Sequence, residues 1–304
     1  MIVLEYPVAF ILTTWHWLLT TFFGMEATFA WLCSIPLLVA TIRACLLPLI
    51  YRQYRSSRLL AHIRLDMRGL RAQYSDKKDQ ESQRQLRAKR REMQASVGYR
   101  VSDGCFPPLI QIPVIMGLYR LLLHIARPQE GLDAVHHGRG LLTGHDVSQF
   151  LHTTFSGIPL PAYVAMPPQR LDYLNVTSDE VFRVALPLIF VASVCTTANY
   201  IYSLRRSLRT IDYSVKASRI LMRIMWCLAP IILLFPWFFG IFGPAPLAIL
   251  IYWVCNNLWT AIQAVTVNAL LNKTHPYPEE FLEDVKVQKE RFRAARRESR
   301  ARNH

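Results

Sequence analysis

Five stretches of the chain are apolar over the length that a helix needs to cross a bilayer. They are residues 27–50, 104–126, 181–204, 220–240 and 245–271. A spanning helix needs about 20 apolar residues to cover a hydrocarbon core of ~30 Å. Backbone polar groups find no water in that core, so each stretch is predicted to be an α-helix. The pattern therefore predicts an all-α integral membrane protein with five transmembrane helices.

The polar segment 51–100 carries a helical pattern of its own. Its apolar positions recur at steps of three and four residues, which places them along one face of a helix. These positions are Leu59, Leu60, Ile63, Met67 and Leu70. A turn-forming cluster at 75–79 and a second, more polar helix from about Gln80 to Val97 follow. Two helices joined by a short turn predict a cytoplasmic helical hairpin.

The N-terminal residues 2–23 are apolar and aromatic, and no Lys or Arg precedes Arg43. A secretory signal peptide begins with positive charge, so that interpretation is disfavoured. Two interpretations remain: a sixth span, or an amphipathic helix that lies in the outer interface with its Trp residues at headgroup depth. A sixth span would leave an N-terminus without positive charge in the cytoplasm. The interfacial helix is therefore favoured.

The remaining segments connect or extend the spans. Residues 127–180 are rich in Gly and Pro and lack a strong period, which predicts an irregular outer loop with one short helix. The tail is charged and predicted to be helical from about Glu279, with too little apolar content to form a core. The predicted division is 1–26, interfacial helix; 27–50, transmembrane helix; 51–100, hairpin; 101–126, transmembrane helix; 127–180, outer loop; 181–204, transmembrane helix; 205–219, cytoplasmic connector; 220–240 and 245–271, transmembrane helices; 272–304, basic cytoplasmic tail.

The distribution of charge predicts how the spans are oriented. The chain has 304 residues, is 52% hydrophobic and has a formal net charge of +14. Segment 51–100 has 14 basic and 5 acidic residues, whereas 127–180 has 3 basic and 6 acidic residues. Positive segments remain in the cytoplasm. The alternation predicts a multi-pass protein of the bacterial plasma membrane with its N-terminus outside and its C-terminus in the cytoplasm. Because topology accounts for the basic balance, sequence-specific nucleic-acid binding is not predicted.

Arg43 is the residue that most needs an explanation. It lies seven residues before the end of the first span, where a charged side chain costs about 3 kcal/mol or more unless it faces water, a partner or the protein interior. Several amides and hydroxyls occupy the other spans within reach of that depth. The candidate groove residues are Arg43, Gln111, Thr197, Asn199, Asn257 and Gln263. Their clustering predicts a hydrophilic cavity open toward the cytoplasm.

Two simpler explanations compete with the cavity. Asn, Gln and Thr side chains also join membrane helices by hydrogen bonds worth about 0.6 kcal/mol each. The long side chain of Arg43 could instead extend to the interface and keep its charge in water. For the amides and hydroxyls alone, hydrogen bonding between helices is the preferred explanation. The clustering of an arginine with several amides at a shared depth favours the cavity.

The sequence predicts a protein that is not an enzyme and needs no cofactor. It contains no metalloprotease, serine-hydrolase or phosphate-loop motif, and its six cysteines show no metal-ligand spacing. A channel or small-solute transporter could use the same cavity, but the outer halves of the spans are almost entirely apolar. A structural membrane scaffold is a third possibility, and it would tolerate replacement of Arg43.

Three motifs resemble the YidC/Oxa-type membrane protein insertases. GCFPPLIQIP at 104–113 is similar to the start of their second core span, and LIYWVCNNLWTAIQ at 250–263 is similar to their fifth. IRACLLPL at 42–49 resembles the span that carries their groove arginine. The resemblance covers about residues 5–272, in the right order, and is to short bacterial members without a large outer domain.

This resemblance implies a function for the cavity. A membrane protein insertase and membrane chaperone would receive the polar outer segment of a substrate protein in a hydrophilic groove, while the apolar span of the substrate partitions into lipid. The resemblance makes Arg43 the groove charge and Gln111 and Asn257 groove lining. It makes Trp253 an aromatic residue that faces the substrate path.

The resemblance and the charges also imply partners. Nascent membrane proteins are the expected substrates, and the ribosome and a Sec-type translocon are candidate partners. The arginines of 51–100 are either solvated or bind anionic lipids. The basic run of the tail contacts either the ribosome or anionic lipid. It comprises Lys286, Lys289, Arg291, Arg293, Arg296, Arg297, Arg300 and Arg302.

Overall fold

The structure is a computed structural model that describes residues 5–75, 79–99, 113, 115–122, 138, 141–213 and 215–301. The ten helices and two strands named here lie in those ranges. In chain order they are α1 (Glu5–Phe23), α2 (Ala27–His62), α3 (Arg64–Gln73), α4 (Gln80–Ser96), α5 (Gly144–His152), β1 (Thr154–Phe155), β2 (Ile158–Pro159), α6 (Pro168–Tyr173), α7 (Ser178–Thr210), α8 (Lys216–Phe242), α9 (Leu247–Thr274) and α10 (Glu279–Ala301). Residues 115–122 are also helical.

Four of the described helices, α2, α7, α8 and α9, are long and apolar enough to cross a membrane. They cover four of the five predicted spans, and the protein is predominantly helical, as expected. Most of the remaining predicted span, 104–126, lies outside the described residues, so the count of five stays a prediction. The helix α1 is not among these four.

The membrane-length helices continue beyond their predicted apolar limits. Helix α2 extends to His62, twelve residues past the predicted end of the first span. The added residues are mostly Arg, Gln, Ser and Leu, with neither Gly nor Pro, so the helix has no reason to end at the edge of the bilayer. A change in polarity along the sequence marks the end of the apolar surface, not the end of the helix.

The chain forms two compact units, each made of three chain segments. The first unit comprises Met1–Leu46, Pro108–Tyr200 and Ala229–Ile262, and the second comprises Leu47–Pro107, Ile201–Leu228 and Gln263–His304. Each has its own apolar cluster.

The first unit is built around α1 and the start of α2. One face of α1, including Val8 and Leu12, packs on Trp31 and Ile35 of α2. Gly24 joins the two helices with φ +60°, a left-handed conformation that glycine adopts without the cost of a β-carbon. Met25 donates its backbone N–H to the carbonyl of Leu19 at 3.2 Å and closes the end of α1.

The predicted outer loop is more regular than expected. Instead of one short helix, it contains α5, α6 and the antiparallel pair β1–β2. Thr143 and Asp146 cap the start of α5 reciprocally. The segment therefore contains a helix-start signal in spite of its high Gly and Pro content. Phe150 and Leu151 of α5 are buried in the same cluster as Trp31, so the loop is anchored by apolar packing.

Helices α7 and α8 contact each other closely in the first unit. The Ser193 hydroxyl donates to the carbonyl of Leu233 at 2.8 Å and accepts from the Trp237 indole at 3.1 Å. A β-carbon on Gly240 would lie 2.6 Å from Ile189 Cδ1, so the glycine permits the close approach. The contact gives the buried Ser193 hydroxyl its hydrogen-bond partners and brings the backbone of α8 at Gly240 against the Ile189 side chain of α7.

The second unit contains a small core that the sequence did not predict. Phe281 and Val285 of α10 are buried with Ala61 and Tyr213. The expectation that the tail has too little apolar content for a core is therefore wrong for the first turns of α10. The apolar residues are only a few, but they lie on one face of the helix and meet a complementary surface.

Arginine–carboxylate contacts surround that core. Arg68 donates to both carboxylate oxygens of Asp284, at 2.7 and 2.9 Å, and also lies 3.6 Å from Asp212. Arg64 pairs with Asp212 at 3.3 Å and donates to the carbonyl of Thr210. Paired hydrogen bonds from one guanidinium to one carboxylate are directional as well as strong, so they fix α10 against α3.

Candidate functional site

Arg43 is bound to a neutral amide on another membrane-length helix. Its Nε and Nη2 donate to Oδ1 of Asn256 at 3.0 and 2.7 Å. Arg43 belongs to α2 and Asn256 to α9, and both lie in the first compact unit. Both side chains are half-buried. An arginine at this depth needs strong partners, and the amide oxygen provides one without cancelling its positive charge.

The next residue along α9 makes a second interhelical contact. Asn199 of α7 donates its Nδ2 to the backbone carbonyl of Asn257 at 2.9 Å and to its Oδ1 at 3.2 Å. Asn257 in turn donates to the carbonyl of Trp253 at 2.9 Å. Successive helical residues point about 100° apart. The two adjacent asparagines therefore face different neighbours: Asn256 faces α2, and Asn257 faces α7.

These polar contacts follow directly after an apolar layer. On α2, Leu38 and Val39 are buried and Arg43 comes one turn later; on α9, Ile251 and Tyr252 are buried and Asn256 comes one turn later. One helical turn is about 5.4 Å, so both helices change from apolar to polar over the same short distance. The site thus has an apolar layer on one side.

Two hydroxyls of α7 add polar atoms to the same unit. Oγ1 of Thr196 and Oγ1 of Thr197 are buried and have no hydrogen-bond partner within the described part of the chain. Most buried hydroxyls in proteins are hydrogen-bonded, so these two mark polar positions that call for a partner. Thr197 is two residues from Asn199 on α7.

Trp253 has an aromatic environment. Its ring lies 5.7 Å from that of Phe235 and 6.2 Å from that of Phe239, both in edge-on or tilted orientations on α8. Edge-to-face contacts of this kind hold a ring in place. Trp253 is half-buried, so part of its surface remains exposed beside α8.

The remaining predicted groove residues cannot be assigned to this cluster. Gln263 lies on α9 two turns after Asn256 and is 7% exposed, but it belongs to the second compact unit. Gln111 lies outside the described residues. The structure thus brings Arg43 together with Asn256, and Asn199 together with Asn257, and their roles in a groove stay predictions.

Two residues of this unit were missed by sequence reasoning. Asn256 is a polar residue of the predicted span 245–271, but periodicity alone does not decide which of two adjacent asparagines faces Arg43. Arg120 lies in the predicted span 104–126 and pairs with Glu5 of α1 at 3.2 Å. Glu5 is buried, so this pair is a second charged contact in the apolar part of the unit. Searching every predicted span for charges would have found Arg120.

The sequence is similar to a described family of membrane proteins and to several named relatives. A family model described as 60Kd inner membrane protein matches residues 22–274. A protein named membrane protein insertase YidC from Corynebacterium glutamicum is 38% identical over 299 residues, covering 98% of this chain and 71% of that protein. A protein of the same name from Corynebacterium efficiens is 38% identical, covering 98% and 75%.

A more distant relative covers nearly as much. The protein of that name from Mycobacterium leprae is 29% identical over 280 residues, which is 89% of this chain and 70% of that protein. With its apolar helices, the chain is therefore a multi-pass protein of a bacterial membrane. The match to the family model extends over α2, α7, α8 and α9. It includes Arg43, Asn199, Asn256 and Asn257. The chain belongs to the 60Kd inner membrane protein family and is a relative of the YidC membrane protein insertases.

Proposed function

We propose that this protein is a membrane protein insertase that receives polar segments of its substrates in a hydrophilic groove around Arg43. Family membership supports the insertase role. The observation that carries the groove is the contact of Arg43 with Asn256, in which a guanidinium is held by a neutral partner on a membrane-length helix. The neighbouring Asn199–Asn257 contact adds further amide groups to the same unit.

The groove lowers the cost of moving polar groups into the membrane. An Asp in the middle of a spanning helix costs about 2.5–3.5 kcal/mol to insert. The positive charge of Arg43 offsets part of this cost for an acidic segment, and the amides of Asn199, Asn256 and Asn257 replace hydrogen bonds to water. The hydroxyl of Thr197 supplies a further polar atom. Gln111 extends the lining, and Trp253 faces the substrate path.

Partition of the apolar span supplies the driving force. Transfer of apolar surface from water to lipid is favourable by about 25 cal/mol per Å². Helix α8 presents large exposed apolar residues, including Leu234 and Phe238, along which a substrate span slides into lipid. This mechanism needs neither nucleotide hydrolysis nor a cofactor.

The groove opens to the cytoplasm and is closed on the outer side. The buried cluster of Trp31, Ile35, Leu38 and the α5 residue Phe150 lies on the side that the charge distribution assigns to the exterior. The proposed groove therefore does not form a continuous polar path across the membrane. A polar segment of a substrate crosses only together with the apolar span of the same substrate. This favours an insertase over a channel or small-solute transporter.

Reconstitution tests the proposed function. The purified chain in liposomes is given a single-span substrate with an acidic outer segment, and insertion is scored by protease protection. We expect Arg43→Ala to lower the initial rate about tenfold, because a charge-assisted hydrogen bond contributes about 1.5–3 kcal/mol. Arg43→Lys retains most of the rate because the charge is kept. A substrate with an uncharged outer segment serves as the matched control.

Each outcome of this test discriminates between the candidate functions. Equal insertion by wild type and Arg43→Ala on the acidic substrate would leave Arg43 as a snorkelling or structural residue and remove the groove charge. No insertion by the wild type, together with release of an entrapped small solute, would favour the transporter. If the wild type gave neither insertion nor solute release, a structural scaffold would be favoured.

Thiol labelling tests the side from which the groove is reached. In a background with the native cysteines replaced, a cysteine at 111 or 263 should react with an impermeant probe from the cytoplasmic side only. A cysteine at Leu38, in the buried apolar layer, is the matched control and should react from neither side. Labelling of 111 or 263 from outside only would reverse the proposed orientation.

The basic tail is proposed to contact ribosomes that deliver nascent membrane proteins. Truncation before α10 would remove Phe281 and Asp284, which stabilise the second unit, so charge removal is the cleaner change. A variant with Gln at Arg291, Arg293 and Arg297 should co-sediment less with ribosomes in neutral-lipid nanodiscs than the wild type. Unchanged co-sedimentation would assign ribosome contact elsewhere and leave the tail to anionic lipid.

A further inference from the structure

The second compact unit contains a pocket of about 680 Å³ whose lining is strongly basic. It is bounded by the inner ends of α2, α7 and α9 and by the start of α10. Six cationic side chains line it, and we refer to it as the basic pocket. They are Arg58, Arg205, Arg206, Arg209, Lys286 and Lys289. No Asp or Glu is among the described residues of the lining.

Arg58 forms a buried, preorganised cation in this pocket. It is 4% exposed, and its Nη2 donates to Oδ1 of Asn272 at 2.6 Å while its Nη1 donates to the carbonyl of His275 at 3.2 Å. Its guanidinium carbon lies 4.5 Å from the centroid of the Tyr277 ring. All three partners are neutral. The guanidinium is therefore fixed in position and keeps its full positive charge.

The cations of the basic pocket lack the carboxylate partners that other arginines of the unit have. Within the described ranges, none of the six forms an ion pair with Asp or Glu. By contrast, Arg64 and Arg68, at a neighbouring groove of the same unit, are paired with Asp212 and Asp284. Like charges that converge on one pocket repel one another, and an anion between them removes that repulsion.

The position of the basic pocket favours the headgroup of a lipid. Arg205 follows directly after the predicted span 181–204 on α7, so the cations begin where the apolar surface ends. Ile201, on α7, is 41% exposed and lies one turn before the lining residue Arg205, so apolar surface adjoins the cations on that helix. Tyr202, also in the lining, is an aromatic of the type enriched at headgroup depth. A soluble anion would need the charges but not the apolar surface.

We propose that the basic pocket binds the phosphate of an anionic phospholipid whose acyl chains lie against α7. Arg58 forms the fixed base of the site, and the exposed Arg205 and Arg209 close around the headgroup. Leu282 and Val285 of α10 provide its apolar wall. The lipid thereby links the membrane-length helices to the start of the tail. This proposal does not depend on the insertase activity.

Native mass spectrometry of the full chain in detergent tests the site. The protein is titrated with equimolar phosphatidylglycerol and phosphatidylcholine of the same acyl chains, and the occupancy of each lipid is measured. Wild type should prefer the anionic lipid. The double variant Arg205→Gln/Arg209→Gln should bind phosphatidylglycerol about tenfold more weakly, with phosphatidylcholine unchanged.

A second double variant removes the same amount of charge from the neighbouring groove of the unit, which is lined by Arg64, Arg68, Arg71 and Arg90. Arg71→Gln/Arg90→Gln changes two exposed arginines of the same unit that lie outside the basic pocket, and its affinity should stay within about twofold of wild type. Equal loss in both double variants would show only diffuse attraction to the surface and would overturn a specific site. Because all four side chains are exposed, neither variant removes a core contact.

Two further measurements separate other sources of phosphate. Inorganic phosphate, added at the concentration at which the lipid saturates, should not displace phosphatidylglycerol; displacement would indicate a soluble-anion site and overturn the lipid assignment. If Arg205→Gln/Arg209→Gln weakened ribosome co-sedimentation in neutral-lipid nanodiscs while lipid binding stayed at the wild-type level, the pocket would belong to an RNA contact instead.

Discussion

Arg43 and Arg68 are both held by directional hydrogen bonds, but their partners differ in charge. Arg43, in the first unit, donates two bonds to the neutral oxygen of Asn256. Arg68, in the second unit, donates to both oxygens of the Asp284 carboxylate and lies near a second carboxylate, Asp212. The first contact fixes an arginine through a neutral oxygen. The second neutralises the charge and joins two helices.

This difference separates the proposed substrate site from a structural contact. A guanidinium paired with a carboxylate offers little net field to an incoming anion, whereas one held by an amide attracts it. The amide also costs less to bury than a carboxylate would in the apolar part of the unit.

Phe281→Ala should detach α10 from the second unit. The side chain is 1% exposed, and truncating a buried Phe costs about 3–5 kcal/mol. Hydrogen exchange across 279–292 should accelerate about a hundredfold, while exchange in α2 near Arg43 should not change. Val287→Ala, at an exposed position of the same helix, is the control. Unchanged exchange in Phe281→Ala would mean that α10 is held by its charges alone.

Asn256→Asp should convert the first arrangement into the second. A carboxylate beside Arg43 neutralises the guanidinium, so insertion of a substrate with an acidic outer segment should fall about tenfold, as in Arg43→Ala. Asn256→Gln keeps a neutral amide and should retain most of the rate. If Asn256→Asp inserted the acidic substrate as well as wild type, the charge of Arg43 would not be the property that matters.

Arg68 and Asp284 should show a measurable coupling energy. In a double-mutant cycle with Arg68→Ala and Asp284→Ala, we expect about 1 kcal/mol, at the upper end for partly exposed pairs because the contact is bidentate. Protection of the amides of α10 against hydrogen exchange is the measurement. Arg71→Ala combined with Asp284→Ala is the control and should show additive effects. Additivity for the Arg68 pair would contradict a structural role.

Acidification should loosen the start of the tail slightly. Burial, followed by the positive charges of Arg55, His62 and Arg58, lowers the pKa of His275 below its ordinary value. The folded state therefore binds this proton less readily than the unfolded chain. Its stability is fully present above pH ~6.5 and decreases as the pH falls below that value.

Hydrogen exchange at 275–285 measures this effect. Exchange, corrected for its intrinsic pH dependence, should rise about twofold between pH 7 and pH 5.5. Arg55 donates its Nε to the His275 Nε2 at 3.2 Å, and protonation of that nitrogen removes the acceptor. In His275→Asn the pH dependence should disappear. Its persistence in that variant would assign the titration to another group.

The sequence predicted the type of fold because its strongest signal is long and repeated. Stretches of about twenty apolar residues admit few structures, and α2, α7, α8 and α9 cover four of the five. Helices α2 and α7 extend beyond their predicted C-terminal ends, because a change in polarity marks the end of the apolar surface and not the end of the helix. Contacts such as Arg68 with Asp284 and Arg120 with Glu5 join residues far apart in sequence, which periodicity does not relate.

The candidate site shows the same limit at the level of single residues. Sequence reasoning selected Arg43, Asn199 and Asn257 from their depth and chemistry, and the structure places each of them in an interhelical contact. It did not select Asn256, because the rotation of a helix about its own axis decides which of two neighbours faces α2. That rotation depends on packing with several other helices, which a single apolar pattern does not specify.

The close contact between α7 and α8 has a consequence for how this protein itself enters a membrane. In a lone α7 the Ser193 hydroxyl could bond only to a carbonyl of its own helix, whereas a lone α8 would leave the Trp237 indole without this acceptor and expose the backbone at Gly240. Paired, the hydroxyl bonds to Leu233 and the glycine accommodates Ile189. We therefore expect these two helices to insert during biogenesis as one antiparallel pair. A defect in the insertion of one helix should then also impair insertion of the other.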